Sequence, residues 1–166
     1  MAEKQLVIDG LELDYNGLFR VESLLKTIDE LVAERGYEKY EKRREEVVKP
    51  TGKDWSMELR PLKKKSEWEI LMVKMRISVT GMTDVEVLKD GKKEKLQKGN
   101  IHIIFDAWKI TDWQARWEQK PWLYLLRTLF EKAFIKVHTD KYAAEAIDDT
   151  HHIFNNVKAH LNLHRF

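Results

Sequence analysis

The side chains best suited to acid–base or metal chemistry are six histidines: His102, His138, His151, His152, His160 and His164. Neighbours on a helix point about 100° apart, so His151 and His152 cannot hold one ion between them. Asp148, His152 and Asn155 or Asn156 do share one polar face at helical spacing, and His160 and His164 stand four apart. Such a face can supply two metal ligands with a third from elsewhere. The same spacing describes an ordinary solvated helix face, and no metal site is assigned. With no cysteine in the chain, thiolate metal sites, disulfides and cysteine nucleophiles are excluded. Acid–base candidates on or near strands are His102, Asp106, Asp112 and Glu118. Asp106 has bulky apolar neighbours in Phe105 and Trp108, yet it alternates with Phe105, which assigns it to the wet face of its strand. No catalytic residue is assigned, and the chain reads as noncatalytic more readily than as an enzyme.

Phosphate-binding loops are missing. Gly52-Lys53 resembles the end of a P-loop, but Val47 stands where the upstream glycine belongs and Asp54 replaces the hydroxyl residue. Basic clusters occur at Lys63-Lys64-Lys65 and at Lys92, Lys93, Lys95 and Lys98, with Trp55 and Trp68 as conceivable stacking surfaces. Glu67 and Glu94 interrupt them. The middle segment, 37–98, carries an excess of about +5 within a chain of net charge +2, too small a surplus to imply nucleic acid.

These groups sit on elements that the hydropathy pattern outlines. The 166 residues, 43% apolar and 35% charged, are the length of one domain with a real core. No stretch approaches the roughly 18 apolar residues of a membrane span, and the start MAEKQ is no signal peptide. A soluble, cytoplasmic protein is expected. Residues 6–15 alternate as a strand bent at Gly10 and broken by Asn16-Gly17. Leu18, Val21, Leu24, Leu25, Ile28, Leu31 and Val32 then form a helical stripe that Gly36 ends. Residues 37–48 read as a strand, followed by a turn at Pro50-Thr51-Gly52 and alternation of Trp55, Met57 and Leu59. The clearest strand places Leu71, Val73, Met75, Ile77 and Val79 on one face and Lys74, Arg76, Ser78 and Thr80 on the other. Asp90-Gly91 marks a hairpin, and Gly99 opens a further strand through Ile101, Ile103, Phe105 and Ala107. Trp113, Ala115 and Trp117 continue an alternation. Helical spacing follows over 121–137, then a last helix capped by Thr139 with the stripe Ala143, Ala146, Ile147, Ile153, Phe154, Val157 and Leu161.

A strand, a helix, a meander of strands and a long closing helix resemble the START-like (helix-grip, SRPBCC) superfamily of lipid-transfer domains, polyketide cyclases and plant allergens. The likeness spans most of the chain by element order and brings no functional residue with it. Locally, LELDYNGLF, KKEKLQKGNI and KAHLNLHRF look like uncharacterised archaeal proteins. The resemblance implies a curved sheet that grips the closing helix around an apolar cavity.

The expectation is therefore one α+β domain over 1–166, a curved antiparallel sheet of five to seven strands with helices packed on one face. The dry face would be lined by Trp55, Met57, Met75, Ile77, Ile103 and Phe105, with Ile153, Phe154 and Val157 from the helix. Methionines and flat rings suit a nonpolar ligand and equally suit a filled core. The wide apolar arc of 121–137 offers Trp122, Leu126, Phe130 and Phe134 as a contact surface for a protein partner or a second copy. The function expected is binding of an apolar small molecule or a protein partner, without a cofactor. A structural assembly subunit is the alternative, and an enzyme with a cavity acid or base is a third reading.

Overall fold

A computed structural model describes residues 3–38, 41–111 and 136–163. The elements run β1 (Glu3–Phe19), α1 (Val21–Glu34), β2 (Glu41–Lys49), β3 (Gly52–Leu59), β4 (Leu62–Lys64), β5 (Glu69–Lys89), β6 (Lys92–Thr111) and α2 (Lys136–Asn162). All six strands belong to one open antiparallel sheet in the order β1-β6-β5-β3-β2, with β4 also paired to β5. Both helices pack on one face, so the fold is α+β as its alternating pattern predicts.

β5 and β6 are the spine. Strict alternation buries Leu71, Val73, Met75, Ile77 and Val79 on β5, and Ile101, Ile103, Phe105 and Ala107 on β6. Paired rows such as Met75 opposite Phe105 and Ile77 opposite Ile103 make that face continuous. Asp90 (φ 49°) and Gly91 (φ 76°) close the hairpin between the two strands, the positive-φ pair that a two-residue turn requires. The ladder slips between Thr80 and Thr83, where Gly81 adopts φ 62°. Across from it, a Cβ on Gly99 would stand 3.0 Å from the Thr80 carbonyl oxygen and 3.2 Å from Met82 Cα. The bend therefore requires glycine on both strands.

Three boundaries differ from expectation. β1 does not stop at Asn16-Gly17: Asn16 pairs Asn100 and Gly17 pairs Gly99, and the strand runs on to Phe19, taking Leu18 out of the helix. Asn-Gly is a turn signal only where no neighbouring strand captures it. Likewise β6 passes through Gly99 unbroken from Lys92, and α2 is already formed at Lys136, so Thr139 is not its cap. The Gly10 bend is present, with φ 64° and a register slip between Ile8 and Leu11.

α1 buries Leu24, Ile28, Leu31 and Val32. Its first amide, Val21 N–H, donates to the Gln97 side chain of β6 at 3.1 Å, replacing a side-chain cap. At its other end Gly36 (φ 78°) donates to the Ala33 carbonyl and Tyr37 to that of Val32, both at 3.0 Å. That double closure is a Schellman motif, and it turns Tyr37 into the interior. Ala146, Ile153, Val157 and Leu161 form the buried edge of α2, whereas Ile147 lies at its exposed side. The segment 112–135, with Asp112, Trp113, Ala115, Trp117, Glu118 and the contact candidates Trp122, Leu126, Phe130 and Phe134, lies outside the described residues.

Candidate ligand-binding face

The inner face of the sheet, closed by α2, gathers the residues expected there. Trp55 and Met57 come from β3, Met75 and Ile77 from β5, and Ile103 and Phe105 from β6. All six are buried in one cluster with Ile153 and Val157 of α2, and Phe154 packs against it half-buried. Phe105 and Phe154 meet edge to face, with ring centroids 5.6 Å apart, a favoured aromatic geometry. β1 extends the surface with Leu13, Tyr15 and Phe19, which the sequence pattern left out of the site. The apolar cluster is thus contributed by four strands and both helices.

Trp55 is the anomaly in that wall. It is 4% exposed, sits opposite Val79, and its indole Nε1–H has no acceptor among the described residues. The Arg44 guanidinium stacks 5.9 Å from the ring centroid and leaves that donor unsatisfied. Buried indole N–H groups ordinarily find a partner, and an orphan costs about 1–3 kcal/mol.

Eight residues along β5, about 26 Å at strand rise, the same face turns ionic. Lys63 of β4 lies opposite Leu71, and its Nζ meets Glu145 at 2.6 Å and Asp149 at 2.9 Å on successive turns of α2. Arg35 at the end of α1 reaches both Asp149 and Asp148 at 3.3 Å, and Lys65 reaches Glu145 at 2.9 Å. Asp149 is 2% exposed. Burial drives the Glu145 carboxyl upward, but hydrogen bonds from Lys63 and Lys65 outweigh it and hold the group below the usual carboxylate range. Burial pulls the Lys63 ammonium down, and its bonds to Glu145 and Asp149 outweigh that in turn, raising it. Tyr37 lies under this cluster, with Lys63 Nζ 5.1 Å from its ring centroid. Burial, then the Asp149 carboxylate, push the phenol far above its ordinary value, and its hydroxyl makes no hydrogen bond of normal geometry. Lys109 belongs to the same inner row, level with Leu71 and Gln5, and is 2% exposed. Its place was readable from the alternation of 101–107 continued by one step.

The remaining candidates are dispersed. Lys63 and Lys65 are engaged with α2, and Trp55 is buried, which removes them from any nucleic-acid surface. Trp68 is exposed, as are Lys64 and the hairpin lysines Lys92, Lys93, Lys95 and Lys98. Asp148 turns to Arg35 while His152 faces Glu34 at 3.8 Å, so Asp148, His152 and Asn156 do not converge on an ion; the Asn156 amide instead donates to the His152 carbonyl at 2.8 Å. His160 contacts Ser23 and Thr27 of α1, each at 3.3 Å. Asp106 does lie on the outer face, yet it is only 6% exposed: it accepts from Gly10 N–H at 2.8 Å and from Arg76 at 3.0 Å, locking the β1 bulge. His102 is on that face too, 2.6 Å from Asp14.

No family model matches the chain, and no curated protein matches it. A solved structure of an uncharacterized protein from Rhizobium leguminosarum aligns over 98% of this chain and 99% of that chain, at 7% identity and a TM-score of 0.26. A likeness that slight carries no argument. Among the described residues, no helix is long and apolar enough to cross a membrane.

Proposed function

We propose that this protein is a noncatalytic binding module of START-like build, and that its inner face takes an apolar small molecule bearing one hydrogen-bond acceptor. The observation that carries the reading is the Trp55 Nε1–H, buried in an otherwise apolar wall with no acceptor among the described residues. An acceptor atom on a ligand removes the cost of that orphan, and Met57 and Met75 in the same buried cluster adapt to irregular apolar shapes. The ionic groups at the far end of the face serve a different purpose. Lys63, Lys65 and Arg35 are balanced by Glu145, Asp148 and Asp149, and the pairs hold α2 in place.

Native mass spectrometry of the purified full chain tests this, with Trp55→Phe as the companion variant. The reading expects a co-purified mass of lipid size on the wild type and at least a tenfold loss of its occupancy in W55F, which keeps the aromatic bulk and removes only the donor. A bare chain that also takes up no added fatty acid or sterol overturns it.

A further inference from the structure

The outer face of the sheet carries a second grouping that the binding reading does not use. Glu12 and Asp14 lie two residues apart on β1 and so project on the same side. His102 of β6 lies directly opposite Asp14, and Glu12 lies opposite the next outward residue, Ile104. One ligand atom from each of Glu12, Asp14 and His102 falls within 4.8 Å of the others. From these positions we propose that Glu12, Asp14 and His102 form a surface site for a borderline divalent cation such as Zn(II), Co(II) or Ni(II).

Three features carry the proposal. The ligand set of one imidazole and two carboxylates is a donor mixture that first-row divalent ions accept, with water completing the shell. Its scaffold is a regular ladder, because β1 and β6 are paired from Glu3–Thr111 to Phe19–Gln97 and the ligands sit in the unbroken register that begins just past the bulge at Ile8–Leu11. Its charge is uncompensated. In a chain with 30 Lys and Arg, other carboxylates of the sheet are engaged: Asp106 on β6 holds Arg76, and Asp54 on β3 holds Lys49. Glu12 and Asp14 meet no lysine or arginine among the described residues; their company is His102 and, one row on, the hydrogen-bonded pair Asn16 and Asn100. A dication supplies the positive charge that the protein leaves out there. The Asp14 Oδ1 to His102 Nδ1 contact of 2.6 Å already holds two of the three ligands together. Coordination through Nδ1 moves the ring proton to Nε2 or, from the imidazolium, to solvent. Exposure of Asp14 (75% of its side chain) makes the site open to exchange, so the fit is to a weak, reversible ion.

The test is a titration of the untagged, isotopically labelled full chain with Co(II), followed by amide NMR. The expected result is paramagnetic shifts and broadening centred on the amides of Glu12, Asp14 and His102 at one equivalent. His102→Gln and Asp14→Asn should each weaken that binding at least tenfold, with the remaining amide spectrum unchanged. Glu12→Gln should weaken it less, since it removes one charge and keeps an oxygen ligand. Two results overturn the proposal: perturbation centred on His151 and His152 instead, or no localised perturbation at millimolar Co(II).

Discussion

One helix is held to the rest of the molecule in two ways. The N-terminal half of α2 is gripped by charge: Glu145 and Asp149 take Lys63, Lys65 and Arg35 from two other elements. Its C-terminal half is gripped by packing, with Ile153, Val157 and Leu161 buried and Phe154 against Phe105. The two grips do different work. Apolar burial is non-directional and supplies most of the free energy. Ion pairs drawn out of water return little net energy but are strict about geometry, so they set where along the sheet the helix sits.

The largest test of that division is Ile153→Ala, expected to lower stability by about 2–5 kcal/mol because it opens a void in a fully buried position; urea denaturation reads it directly. A loss under about 1 kcal/mol would mean that the packed half is not the energetic anchor. Next comes Asp149→Ala, which leaves the Lys63 and Arg35 cations short of a buried acceptor and should cost about 3 kcal/mol. If it were neutral, the ionic grip would be decoration.

The pH dependence sharpens the comparison further. Glu145 is lowered in the folded state, so its contribution is complete above its unfolded value of about 4.3 and fades as pH falls through the folded one. Lys63 is raised, so its contribution is complete below about 10.4 and fades as pH rises through its folded value. The stability gap between wild type and Glu145→Gln should accordingly be flat from about pH 5 to 9 and narrow in acid. A gap that ignores acid would break the account. The smallest effect belongs to Lys65→Met, about 0.5 kcal/mol, because that pair is partly exposed and Glu145 keeps Lys63. Raising the salt concentration should shrink it further, measured by the same denaturation curves.

The two grips also differ in how far the sequence betrays them. Leu71 to Val79, Trp55 to Leu59 and the Asp90-Gly91 turn announce themselves, because side-chain alternation and positive φ are properties of a few adjacent residues. The nine apolar residues expected on the dry face do come together, since any residue in phase on a paired strand must share the face. The ionic grip was not legible in the same way. Lys63 read as part of a local basic cluster, and its partner Asp149 is 86 residues away in the chain. Asp106 shows the limit of alternation. Its face is right, but its burial depends on Arg76 and on a β1 bulge that no pattern around residue 106 contains. Asn16-Gly17 shows the converse, a local turn signal overruled by the pairing with Asn100 and Gly99.

What the chain's own order of residues determined is the α+β class, the strand phases and the side of each strand that turns from water, because these follow from periods of two and of about 3.6 residues. What only the folded arrangement decided is which charges meet, at Lys63, Arg35 and Asp149 or at Glu12, Asp14 and His102, and which donor, at Trp55, is left without an acceptor. Those depend on distances between segments far apart in the chain, and electrostatic partners, unlike hydropathy, leave no periodic trace.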